Sequence, residues 1–121
     1  MLDDDALDRL RERHPHFQDM AYVFVLRALH HVLQGLGEPR HISGRELAEG
    51  VRELALEQYG PMARTVLEHW GIHDTGHVGD VVFALVEAGV LIKQDEDTRA
   101  EFEGVYEFDD AFRSPYPPRG E

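Results

Sequence analysis

Three histidines, His69, His73 and His77, recur at every fourth residue. On one continuous helix that spacing would align three imidazoles along a single face, where a zinc or nickel ion takes nitrogen ligands. The helix is not continuous, because Gly71 interrupts it and Asp74-Thr75-Gly76 reads as a turn. A loop-built site using Asp74 stays open, as does one at His14 and His16, so a His-based metal-dependent enzyme remains the third functional alternative. Nucleophilic chemistry has less support. The chain has no cysteine, and its two serines, Ser43 and Ser114, read as a helix cap and a tail residue. No G-x-S-x-G, P-loop or G-x-G-x-x-G run is present. Carboxylates are abundant but lie on hydrophilic turns, where nothing raises their pKa toward neutrality. Arg40-His41 and Gly44-Arg45 flank a helix start, a place that can hold an anion. No catalytic residue, metal ligand or cofactor is assigned from these patterns.

A second constellation points to binding. Phe83 stands three residues after Asp80 and four before Glu87, which places all three on one face of a helix. An exposed phenylalanine between two acids would anchor a protein partner or a second copy of the chain. The alternative is a ring covered by the amino-terminal segment or the tail, as large apolar side chains usually are covered. Asp80, Phe83 and Glu87 are the partner-binding candidates.

The elements that must position these residues are mostly helical. Ala6 to Arg13 is amphipathic and ends at His14-Pro15, since proline disfavours helix in the residue before it. Asp19 reads as the cap of a helix reaching about Leu36. Apolar residues cover most of its circumference, and only Arg27, His30, His31 and Gln34 mark a wet side, which makes it the central helix of a core. His41-Ile42 reads as a one-bridge strand. Ser43-Gly44-Arg45-Glu46 is a capping box opening a helix that buries Leu47, Val51, Leu54 and Ala55 and stops at Gly60. Pro61 opens the next, with Met62, Val66, Leu67 and Trp70 inward. Thr75 reads as the cap of a last helix, where Val78, Val81, Val82, Leu85 and Val86 form one stripe ended by Gly89. Val90-Leu91-Ile92 then reads as a short strand. Phe102, Gly104, Tyr106 and Phe108 alternate as its returning partner across an acidic turn.

Helix, short strand, three helices and a hairpin predict a mostly α (α+β) domain of four to five helices with a C-terminal two-stranded β-hairpin, winged-helix-like. The single domain spans 14–112, after an N-terminal stub at 1–13 and before a mobile proline-rich tail at 113–121. In a DNA-binding winged helix the helix before the wing reads base edges. Here that helix has no Arg or Lys between Gly76 and Ile92, and the wing, Gln94 to Glu103, holds five acids and one arginine. The whole chain carries a net charge of −12, and Asp95 to Asp110 alone holds eight acids against Arg99. Such a surface repels phosphates and anionic lipid. Basic partners or plain solubility are the two meanings of the charge. With no cysteine, no positive amino-terminal leader and no long apolar run, the expectation is a soluble, cytoplasmic protein without membrane contact.

At HPHFQDMAYVFVLRAL, SGRELAEGVRELALEQYGPMARTVLEHWGI, GDVVFALVEAGVL and FEGVYEFDDAF, the chain resembles a family of small bacterial proteins, conserved but hypothetical. The similarity covers about residues 14 to 112, and YGPMARTVLEHWG is its most distinctive run. The resemblance implies a bacterial cytoplasmic protein and carries over no activity, ligand or catalytic residue. The expected function is a non-enzymatic protein-interaction or regulatory module, working through an acidic hairpin and the exposed side of the 78–88 helix. Its alternative is a winged-helix DNA-binding regulator, with a basic surface on Arg40, Arg45, Arg52 and Arg64. The partner is a protein or a second copy, and nucleic acid is disfavoured.

Overall fold

Ser43 shows how local sequence sets a helix start. Its side chain accepts the Glu46 amide at 3.1 Å, and the Glu46 carboxylate accepts the Ser43 amide at 3.0 Å. Two of the amides that a helix start leaves unpaired are thereby satisfied. Arg40 then clamps the same carboxylate through two bonds of 2.6 and 3.0 Å. Together the Arg40 and Ser43 hydrogen bonds hold the Glu46 carboxyl down from the ordinary value of 4.5 to about 2. A folded pKa below the unfolded one gives stability that is complete above pH 4.5 and lost as pH falls toward 2. Glu46→Gln should therefore be less stable than wild type at neutral pH, with the gap closing across that acid window. A gap constant from pH 7 to about pH 2 would contradict this linkage. Ser43→Ala should cost about 1 kcal/mol in a denaturant melt.

The computed structural model describes residues 2–92 and 99–112. Five helices carry the fold: α1 (Asp4–Arg13), α2 (Asp19–Gln34), α3 (Gly44–Tyr59), α4 (Ala63–His69) and α5 (Thr75–Glu87). Tight 3-10 turns at Gly60–Met62 and Arg99–Phe102 and a helical turn at Phe108–Ala111 complete the regular structure. α2 is central as expected: Ala21, Tyr22, Phe24, Val25 and Ala28 are buried, and the helix packs on α3 and α5. Gly50 on α3 allows the closest approach, because a Cβ built there would lie 2.3 Å from a methyl group of Val32 on α2. Trp70 is a core anchor, packing its ring 5.3 Å from Phe24 and 5.9 Å from Tyr59. α1 belongs to the same core through Ala6 and Leu10. No helix among the described residues is long and apolar enough to cross a membrane.

The winged-helix expectation, with its C-terminal β-hairpin, is wrong: the described residues contain no strand. The reason is visible at the end of α5. Gly89 takes φ +81°, and its amide donates to the Val86 carbonyl at 3.0 Å. The Val90 and Leu91 amides both turn back to the Leu85 carbonyl, at 2.9 and 3.3 Å. Those amides close the helix in a Schellman turn and are spent before any ladder can form. The returning segment does not alternate as a strand either. Phe102 ends a 3-10 turn, the Tyr106 hydroxyl donates to the Ala48 carbonyl at 2.8 Å, and Phe108 and Phe112 pack edge to face at 4.8 Å. Period-two aromatics thus act as separate pegs into the helices, which bury more than an isolated two-stranded ribbon could. The expected acidic turn, Asp95 to Asp97, and the tail at 113–121 lie outside the described residues. His41-Ile42 forms no bridge.

Two helix caps also shift by one residue. Gln18 holds the cap position of α2, which frees Asp19 to bond Arg11 at 2.5 and 3.1 Å. Asp74, not Thr75, caps α5, accepting the His77 amide at 2.9 Å. Thr75 is buried instead, and its hydroxyl accepts the Val105 amide at 3.3 Å.

Candidate functional site

Asp80, Phe83 and Glu87 do share one side of α5, and each meets a neighbour there. Asp80 pairs with Arg99. Glu87 pairs with Arg13 at 3.3 Å and with His14 at 3.4 Å, tying the end of α1 to the end of α5. Phe83 is half-buried, and its ring meets that of Phe102 edge to face, with centroids 6.3 Å apart. The segment after α5, through Phe102, therefore contributes to the cover over Phe83; the tail at 113–121 lies outside the described residues.

Phe102 is the residue that sequence reasoning missed. It is 4% exposed. Cβ atoms built on Gly44 and on Gly79 would lie 3.0 and 2.9 Å from its ring. Two glycines on facing helices thus leave a slot that one phenylalanine fills. The only sequence signal was a pair of glycines where alanine would be the better helix former.

Beside this slot lies an apolar pocket of about 160 Å³ between α2, α3 and α5. Leu29, Leu33, Val82, Val86, Ile92 and Phe102 are among its walls. Leu33 is 42% exposed and Ile92 85% exposed at its lip. α5 thus borders this pocket through Val82 and Val86, both half-buried. An apolar cavity of about 150 Å³ holds one benzene ring. This pocket therefore has room for one aromatic or branched aliphatic side chain.

The other sequence candidates are placed differently. His73 and His77 approach at 5.8 Å between ring centroids, and His77 Nδ1 accepts the His73 amide at 2.9 Å. His69 belongs to α4, beyond the turn where Gly71 takes φ +101°. A side chain on Gly71 would strike the His16 carbonyl, so this turn has room only for glycine. Among the described residues no three metal-ligating side chains converge. At the start of α3 the Gly44 amide donates to Glu101 at 3.3 Å, so the chain's own carboxylates occupy that end. Arg40 is taken by Glu46, Arg52 by the Ala111 carbonyl at 3.2 Å, and Arg64 by Glu68 and Asp109. Three of the four arginines of the supposed basic surface are thus engaged internally, which counts against phosphate binding there. The buried phenol of Tyr22 has no hydrogen-bond partner among the described residues. Burial, with Asp19 adding to it, pushes its pKa up to about 12, away from neutral acid-base work. Burial likewise raises Tyr106.

Comparison of the chain with protein-family models, curated proteins and solved structures finds no match in any of the three, so no residue role comes from a relative.

Proposed function

We propose that the chain is a non-enzymatic protein-interaction module that binds a partner polypeptide at the apolar pocket between α2, α3 and α5. The observation that carries this proposal is the exposed pair Leu33 and Ile92 at the lip of a pocket sized for one large side chain. Interfaces concentrate their binding energy in such anchors, with near-neutral contacts around them. The partner supplies an aromatic or branched aliphatic anchor flanked by basic residues. A net charge of −12 favours basic flanks and opposes close pairing with a second acidic copy. On α5 the partner meets Val82 and Val86, while Asp80 and Glu87 keep their internal ion pairs.

The test compares affinities for a partner identified by crosslinking. Leu33→Glu and Val86→Glu should each weaken binding at least tenfold, about 1.4 kcal/mol. Asp80→Asn and Glu87→Gln should change it less than about twofold. The reverse pattern would return the interface to the acidic face of α5 and reject the pocket.

A further inference from the structure

A second groove runs along the face of α2 that points away from the core, and it differs from the pocket in charge. Val23 and Leu26 on α2, Leu54 on α3 and Leu2 ahead of α1 give it apolar walls, within a volume of about 590 Å³. Arg27, His30, His31 and Gln34 complete its lining, which includes no carboxylate. That composition is unusual in a chain with 24 acidic residues among 121.

The state of Arg27 sharpens the contrast. In the two polar clefts elsewhere on the surface, the lining arginines are neutralised, Arg99 by Asp80 and Arg11 by Asp19. The Arg27 guanidinium donates to the neutral side-chain oxygen of Gln58 at 3.2 Å and keeps its charge. His30 is exposed beside it, and His31 faces Glu53 at 3.8 Å. A permanent cation at the rim of an apolar trough of ligand-pocket size matches a molecule with an aliphatic body and an anionic head.

We propose that this groove binds a free, single-chain aliphatic carboxylate. Its hydrocarbon lies along Leu2, Val23, Leu26 and Leu54, and its head meets Arg27 and His30. A bilayer is the wrong source for that head group, because a protein of net charge −12 is repelled by an anionic surface while a dissolved monomer meets only the local cation. The groove and the anchor pocket, which takes Leu29 and Leu33 from α2, share no lining residue, so the two proposals stand or fall separately.

Sodium octanoate titrated into the 15N-labelled full chain, below the concentration at which it aggregates, tests this. Saturable shifts are expected at the amides of Val23, Leu26, Arg27 and Leu54. Octanol should bind at least fivefold more weakly than octanoate. Arg27→Gln should lose at least fivefold for octanoate, whereas Arg45→Gln, at an exposed arginine outside the groove, should bind as wild type. Leu26→Asp, with its fold checked by circular dichroism, should abolish the shifts. No saturable shift, or unchanged affinity in Arg27→Gln, would overturn the proposal. So would groove shifts that follow protein concentration without octanoate, which would mean a second copy, or co-sedimentation with phosphatidylglycerol vesicles, which would mean a bilayer.

Discussion

Phe102→Ala should lower the unfolding free energy by about 3–5 kcal/mol, a large share of the roughly 5–15 kcal/mol that holds a domain together. The ring is almost wholly buried and sits between Gly44 on α3 and Gly79 on α5, in edge-to-face contact with Phe83. Removing it leaves a hole between two helix backbones that already lie close, so little collapse can fill the space. Gly79→Ala tests the same slot from the other side, since its new Cβ would lie 2.9 Å from the Phe102 ring. That substitution should destabilise wild type and do so less in Phe102→Ala, where the ring contacts are gone and only the Cβ of residue 102, also 2.9 Å away, remains. Denaturant melts of the four proteins give the coupling directly. A loss below about 1 kcal/mol for Phe102→Ala, or additive effects in the double variant, would show that the ring is not clamped.

Gly50→Ala is expected to destabilise by about 1–2 kcal/mol even though helix propensity alone favours alanine by nearly 1 kcal/mol. The new methyl would lie 2.3 Å from a Val32 methyl group, with the Ala28 carbonyl 3.5 Å away. Valine on a helix has one strongly preferred rotamer, so Val32 cannot swing aside and α2 and α3 must separate. Overpacking then outweighs propensity. Pairing the change with Val32→Ala should restore part of the loss. Gly50→Ala more stable than wild type would mean that the two helices are less closely seated than described.

Helix starts and stops were legible because their determinants are local. The Ser43–Glu46 box needs only four consecutive residues, and Gly71 and Gly89 mark where the backbone turns left-handed. The segment after α5 was misread for the opposite reason. Alternating Phe102, Tyr106 and Phe108 fits a strand, and nothing local reveals that Phe102 faces two glycines 58 and 23 positions earlier in the chain, at Gly44 and Gly79. Asp80, Phe83 and Glu87 were grouped on one face of α5 from their spacing alone. Its ion pairs with Arg13 and Arg99, and its approach to His14, depend on tertiary packing that helix periodicity cannot show. The apolar pocket was invisible because its walls come from α2, α3 and α5 together, whereas each stripe alone reads as ordinary core. The groove on α2 was half legible: Arg27, His30, His31 and Gln34 were recognised as one wet side, but not the walls that Leu2 and Leu54 add.

The most direct test of the interaction account places a photo-crosslinking benzoylphenylalanine at Ile92, the most exposed of the large apolar residues described, in the full chain expressed in its native cell. A light-dependent adduct with a single basic protein is expected, and it should disappear when Val86→Glu is added. The same adduct from a control site at the exposed Asp8 on α1, an adduct with a second copy only, or none at all, would contradict the account.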